Sequence, residues 1–466
     1  MDSRKSSITR RKVLVASGSA LLMTLLGDEV AFGSKKKSAQ KRAKRGRSSK
    51  KKQKPSRSTS TPRAAAGPIS GEGLFRDVIT YYNLGEHRTA TEGDLKTADW
   101  LAKELRNAGV PATFQPFAVE QFFPREISLR IAGVSVRAFP LWPPRPTEQS
   151  PLRRPLVSFS RQTGPRSLHG AIALVRFPAD PRAAISKESG QTEIINAAAR
   201  SGASAVVAIT EGPSGEIVAL NIERGRRSWP LPVVLVGPRD QALLTECEKG
   251  ELEASLVLEG KQVEAVARNV VAKRSRGDKF FVVSTPQSGW FRCAAERGPG
   301  VALFLGLARW AAKRNTNSSF LFVSTSGHEL GALGMQAFLK ELAPAPEQVK
   351  CWLHLGAGIA SFAWEDLSNG PHRLREAEAR RYLMTTPDFV PILKDTFTGL
   401  PGMTLVTGRA VGELEALITR RYRAFGIAAG HRFHHTPADS PEMTGPEILE
   451  PVASALIRTI ETIDQA

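Results

Sequence analysis

The sequence predicts an α/β fold in which a mostly parallel sheet is sandwiched by helices. Two observations carry the prediction. From residue 280 onward, apolar runs of strand length alternate with longer stretches of helical periodicity, and the chain's polar clusters fall just after the apolar runs. Such alternation suits strands joined by helical crossovers and covered on both faces, with sites gathering beyond the carboxyl ends of the strands.

Taken in order, Leu95–Asn107 places apolar residues at helical spacing and stops at Gly109. A Pro-rich stretch, Phe139–Pro151, marks a break. Beyond it, GAIALVRF (170–177) and ASAVVAI (203–209) read as buried strands with a helix over Glu193–Ser201 between them, and Leu231–Val236 followed by a helix over Asp240–Lys249 continues the series. Residues 126–263 therefore read as a separate small domain. The larger pattern returns with a strand at Phe280–Ser284, a Leu- and Ala-rich helix at Gly300–Lys313, a strand at Ser319–Thr325 and a helix at Met335–Leu342. A strand at Val349–Leu355 and a closing helix at Pro446–Ile463 complete it.

At 466 residues and 41% hydrophobic content the chain can bury a substantial core. The formal charge of +20 is unevenly spread: residues 1–65 hold 19 Lys and Arg against 3 Asp and Glu, leaving 46 against 42 for the remainder. The folded part is thus close to neutral, and the overall charge is no sign of nucleic-acid binding. Cys247, Cys293 and Cys351 are too few and too scattered for a disulfide framework or a zinc finger, and read as small buried thiols.

Residues 1–33 have the layout of a twin-arginine-type signal segment: Arg10-Arg11, the apolar run Val13–Leu26, and the small-x-small pattern Ala31-Phe32-Gly33. The run is short for a membrane span, and no transmembrane helix is expected after it. Export to the periplasm or the extracellular space follows. Residues 34–70 form a basic tether of Lys, Arg, Ser, Thr, Ala and Pro that cannot bury enough surface to offset its ordering entropy. A spacer is preferred over a specific arm, although an anionic envelope polymer is a partner its charge would suit. It has no aromatic residue on which bases could stack, so no specific nucleic acid is expected.

Four polar clusters follow predicted strands: Thr285–Trp290 with Glu296, then Gly327-His328-Glu329, then His354, and finally His434-His435-Thr436. Imidazoles and carboxylates arriving from separate strand ends are ligand types that suit zinc. Singly each signal is weak, since a lone histidine is more often a hydrogen-bonded structural residue and Glu296 beside Arg297 could be a plain charge pair. No Gly-x-Ser-x-Gly elbow and no phosphate-cradling glycine loop occurs.

Several of these stretches resemble the secreted zinc aminopeptidases, relatives of glutamate carboxypeptidase and the transferrin receptor. GEHRTATEGDLKTADWLAKELRNAG is similar to the family's opening helix region, Asn269-Val270-Val271-Ala272 to its return into the catalytic sheet, GHELGALGMQAFL to its paired-glutamate motif, and HHTPADSPE to its last metal-binding histidine. GAIALVRF and AAARSGASAVVAI resemble the protease-associated domain that many members carry as an insert. The resemblance implies a zinc-peptidase-like domain over residues 71–125 and 264–466, interrupted by a protease-associated insert over 126–263.

The departures carry as much weight. Where the family has a first-metal histidine and a following Asp, this chain has Thr285 and Gln287; the bridging Asp corresponds to Glu296, the general base to His328, and the first metal's Asp falls near His354. The resemblance leaves Glu329 and His435 to the second metal. The expectation is one zinc on Glu296, Glu329 and His435, with His328 as base and His354 able to rebuild part of the first site. A metal-dependent hydrolase of peptide or amide bonds follows. The alternative is a non-catalytic binding protein without zinc, a use to which the transferrin receptor puts this fold.

Overall fold

The computed structural model describes residues 69–160, 167–180, 182–240, 243–246 and 252–466. The predicted signal segment, nearly all of the predicted tether and Cys247 lie outside the described residues, as does part of the predicted helix over 240–249.

The strands, in chain order, are β1 (Ala112–Ile131), β2 (Val134–Val136), β3 (Phe139–Pro140), β4 (Leu152–Ser158), β5 (Ile172–Phe177), β6 (Ala184–Ile185), β7 (Ala205–Thr210), β8 (Asn221–Ile222), β9 (Val233–Val236) and β10 (Leu252–Arg274). They continue with β11 (Phe280–Pro286), β12 (Ser319–Thr325), β13 (Val349–Leu355), β14 (Phe362–Leu367), β15 (Gly370–Ala377), β16 (Arg381–Thr385), β17 (Met403–Thr407) and β18 (Ala424–Ala429). One large sheet runs in the order β17-β16-β18-β13-β11-β12-β10-β4-β5-β7-β9-β3, with β1 and β2 attached through β10.

In its centre β12, β11, β13 and β18 are mutually parallel, as the alternation predicts. Both faces of this region are apolar because strand side chains alternate. On β11, Phe281 and Val283 join one core and Val282 the other; on β12, Phe320 and Phe322 face one way and Leu321 and Val323 the other. Helices Gly71–Asn83, Glu92–Asn107, Gly298–Ala312 and Pro446–Gln465 cover the first face, through Leu74, Leu101, Phe304 and Leu456 among others. Helices Leu333–Glu341 and Glu413–Thr419 cover the second, through Met335, Phe338 and Leu417. The predicted sandwich of helices about a sheet is therefore what the chain adopts.

The sheet departs from the predicted pattern in its long antiparallel strands. β1 and β10 pair from Ala112↔Ala272 to Ile131↔Ala254, with a register shift between Pro124 and Glu126. One end of β10 pairs with β12 and the other with β4, so a single strand joins the parallel set β12-β11-β13-β18 to the parallel set β4-β5-β7-β9. Their mixed polar and apolar alternation reads less plainly than the buried runs of the centre, since stretches of both are exposed. Gly260 lies at the crossing, where a Cβ would stand 2.4 Å from the Phe122 ring. The sequence-drawn limits at 125/126 and 263/264 fall inside these two strands.

Candidate active site

The parallel centre delivers the polar clusters to one edge. Thr285 pairs with Ser324, Ser284 with His354, and His354 with Gly426, so β11, β12, β13 and β18 all end together and the chain leaves them into the loops that carry Ser288, His328 and His431–His435. Glu296 arrives from the segment between β11 and the helix Gly298–Ala312. Its backbone N–H and that of Ala295 both donate to the Asp439 carboxylate, at 2.9 Å each, which ties the Glu296 turn to the histidine loop.

Glu296, His434 and His435 form a group whose ligand atoms lie within 4.8 Å of one another. His435 has a left-handed backbone (φ 57°) and is gripped by one residue: its Nδ1 lies 3.0 Å from the Ala219 carbonyl, and its own carbonyl accepts the Ala219 N–H at 2.9 Å. Because a carbonyl only accepts, Nδ1 carries the proton. Nε2 faces Glu296 Oε1 at 3.2 Å, a contact that either a proton on Nε2 or a cation between the two atoms would make favourable. His434 stacks on His435 with ring centroids 4.1 Å apart, and its buried Nδ1 has no hydrogen-bond partner among the described residues. Neither carboxylate oxygen of Glu296 has an aligned hydrogen bond among them, although Oε1 is ion-paired. Two imidazoles, one with an unpartnered nitrogen, and a carboxylate with one oxygen left over are a donor set that fits a divalent transition metal.

The electrostatics of the group are set by burial. Burial pushes His434 well below the ordinary imidazole value and His431, behind it, down to about 4, so both are neutral. Burial alone would raise Glu296, but His435 and the Arg297 guanidinium hold it well below the usual carboxylate range. Arg297 approaches Glu296 Oε1 at 3.0 Å, and both side chains are almost wholly buried. Asp439 is pushed up to about 8 by burial, against the pull of its two backbone donors.

The remaining sequence-predicted residues have other partners. Glu329 accepts from the Thr89 N–H at 2.7 Å, the Thr89 hydroxyl at 2.6 Å and the Ser288 hydroxyl at 2.7 Å, and is not in the Glu296 group. His328 Nδ1 lies 3.0 Å from Glu413 Oε1. The buried Glu413 also accepts from the Thr325 hydroxyl at 3.1 Å. Burial would raise Glu413, but the His328 hydrogen bond and nearby charges bring it below the ordinary range. His354 Nδ1 is 3.0 Å from the Ser284 hydroxyl, and burial holds this histidine at about 4. Thr285 donates its hydroxyl to the Leu355 carbonyl at 2.9 Å. Gln287 is built into a buried network, donating to Asp94 at 3.0 Å while accepting from Ser324 at 3.0 Å.

Structure thus unites Glu296 with His435 and adds His434; Glu329 and the His328 N–H meet at the Ser288 hydroxyl, while the His328 ring turns to Glu413 and His354 to Ser284. Glu413, Asp439 and Ala219 carry much of this arrangement without being candidates in the sequence, whereas His434 stands in the fourth polar cluster and Arg297 beside Glu296. Asp439 lies within the HHTPADSPE stretch; Glu413 and Ala219 have no local signal.

No protein-family model and no curated protein matches the chain. Among solved structures it is similar to BSAP, a zinc aminopeptidase from Bacillus subtilis, with TM-score 0.67 at 18% identity, covering 85% of this chain and 95% of that one. It is also similar to a peptidase M28 precursor from Shewanella amazonensis (TM-score 0.64, 16% identity, 84% and 96% covered). An aminopeptidase from Aneurinibacillus sp. strain AM-1 matches with TM-score 0.57 at 16% identity, over 85% and 94% of the two chains. What is shared at these identities is architecture, and the chain has the zinc aminopeptidase fold.

Proposed function

We propose that this chain is a metal-dependent hydrolase of peptide or amide bonds that works with one zinc ion. The observation that carries the reading is the approach of His435 Nε2 to Glu296 Oε1 at 3.2 Å beside His434, with the Nδ1 of His435 already committed to Ala219. Glu296, His434 and His435 would hold the ion. Glu329, expected from sequence as a ligand, is read instead as an anchor for the Thr89 and Ser288 segments, because its oxygens already accept three hydrogen bonds. When bound, zinc supplies a Lewis acid that lowers the pKa of water toward ~7 and polarises a carbonyl.

The chain's own residues supply the proton transfer. Glu413 accepts from His328 Nδ1–H, which fixes the tautomer and leaves Nε2 as the proton acceptor. His328 would take a proton at Nε2 from the water that attacks the carbonyl and return it to the amine as the C–N bond breaks, while Glu413 steadies the imidazolium. His354, neutral and bonded to Ser284, is read as a structural neighbour of this pair.

A specific observation favours the second reading, a binding protein without zinc: Arg297 already brings a positive charge to Glu296. Zinc titration of the purified chain, followed by assay against aminoacyl arylamides and short peptides, separates the two. Stoichiometric zinc binding with zinc-dependent cleavage supports the hydrolase; absence of both leaves the binding protein. We further propose export behind the signal segment 1–33, a spacer over 34–70 that an anionic envelope polymer could bind, and a protease-associated insert over 126–263. No helix among the described residues is long and apolar enough to cross a membrane.

A further inference from the structure

Arg297 is an unusual residue to find where it is. Its side chain is 2% exposed and Glu296 beside it 1%, and the guanidinium approaches Glu296 Oε1 at 3.0 Å. Its Nε has no hydrogen-bond partner. A buried guanidinium cannot shed its charge as an imidazole can, so it requires a permanent counter-charge. The charge also reaches further: it is among the influences acting on His434, His354 and Glu413 as well as Glu296. The Arg297 charge thus acts on Glu296, which it touches, and also on Glu413 of the His328–Glu413 pair.

The balance of charge around it is informative. The buried carboxylates about it are Glu296, Glu413 and Asp439, the last accepting from the Ala295 and Glu296 N–H groups. Glu329 is satisfied elsewhere by Thr89 and Ser288. Glu296 itself is divided, since Oε1 is shared between Arg297 and His435 while Oε2 has no partner. One fixed cation already sits on the carboxylate that a metal ion would need.

We infer that Arg297 is a built-in cation of this centre, a positioning residue that holds Glu296 by one oxygen and competes with a metal ion for it. The inference rests on the same centre as the proposed hydrolase but not on that centre's being loaded with zinc. Removing the guanidinium frees both oxygens of Glu296 and leaves its charge uncompensated, so the metal-free protein loses stability and gains affinity for a cation.

The test uses zinc ion alone, titrated calorimetrically into the full chain and into Arg297→Met, Arg297→Lys, Glu296→Gln and the double variant Glu296→Gln/Arg297→Met, with melting temperatures measured in chelator and in zinc. Arg297→Met should bind zinc about tenfold more tightly or more, and melt lower than the parent in chelator. Arg297→Lys should stay near the parent, and the double variant should recover much of the metal-free stability. If Arg297→Met does not fold, recovery of folding in the double variant supports the pairing. A double variant no more stable than Arg297→Met, or an Arg297→Met protein with the parent's zinc affinity, overturns the inference. The two readings fail separately. A parent that binds no zinc beside an Arg297→Met variant that does would remove the hydrolase and keep the built-in cation; a zinc-binding parent indistinguishable from Arg297→Met would do the reverse.

Discussion

His435 and Ala219 hold each other by two main-chain groups: the histidine Nδ1–H donates to the Ala219 carbonyl at 3.0 Å, and the Ala219 N–H returns the bond to the His435 carbonyl at 2.9 Å. Residue 219 lies in the stretch read from sequence as an insert, and its neighbours reach the same place. Ile222 donates its N–H to the Glu329 carbonyl at 3.0 Å, and Asn221 accepts from the Trp290 indole at 3.0 Å. The segment 219–222 therefore sets the tautomer of one candidate ligand and packs along the loops that carry the others.

The ligand assignment can be checked residue by residue. We expect His435→Gln and Glu296→Gln each to weaken zinc binding on the order of 100-fold or more, since losing a ligand exceeds the effect of losing a ligand's partner. Glu329→Gln should keep zinc within a few-fold and instead lower the melting temperature, because the Thr89 and Ser288 donors lose a charged acceptor. Release of zinc by Glu329→Gln with retention in His434→Ala would restore the ligand set expected from sequence.

Glu413 should matter to turnover and little to binding. In Glu413→Gln the amide can present its NH₂ toward His328 Nδ1, which favours the wrong tautomer, so kcat should fall by about 100-fold with zinc affinity nearly unchanged. His328→Ala should behave in the same way, and the double variant should be no worse than either single one. Additive losses in kcat would show that the two residues do not act as a pair.

Stability in acid should report His87. This histidine is fully buried, stacks on Tyr81 with centroids 3.7 Å apart and bonds Thr97 through Nδ1 at 3.0 Å. Burial lowers it to about 3, whereas the unfolded chain takes up the proton near 6.5. Between those values the unfolded state binds the extra proton, so its contribution is constant above pH 6.5 and stability falls as pH drops toward 3, by an amount on the order of 4 kcal/mol in total. His87→Phe should keep the stacking surface and flatten part of that slope. An unchanged slope in chemical denaturation from pH 7 to pH 4 would count against this role.

Gly334 is where the helix after β12 meets the His328 loop. A Cβ there would lie 2.3 Å from the Ser326 carbonyl oxygen and 2.3 Å from Asn269 Oδ1. Gly334→Ala should cost about 1–3 kcal/mol by overpacking and displace the loop that carries His328 and Glu329. A melting temperature and kcat both equal to the parent's would refute this.

Export by the twin-arginine route depends on Arg10-Arg11, which lie outside the described residues. Replacing both by Lys should leave the precursor in the cytoplasm, read by cell fractionation. Normal export of that variant would remove the claim for this route.

What the sequence determined by itself is the fold of the parallel centre. The buried runs at β11, β12 and β13 are apolar on both faces, and such runs bounded by helices have few alternative packings, so strand, helix and the edge that carries the polar clusters could all be read locally. The residue types able to bind a metal were legible for the same reason, as they follow strand ends. Which of them meet was decided only by tertiary structure. Glu296 lies 3.2 Å from His435 across 139 positions of chain, and Glu329, next to His328 in the loop after β12, turns instead to Thr89, 240 positions away. Side-chain direction within a few ångströms depends on which hydrogen-bonding partners the fold brings opposite, and those partners, the Ala219 carbonyl for His435 and the hydroxyls of Thr89 for Glu329 and Thr325 for Glu413, leave no mark near the residues they orient.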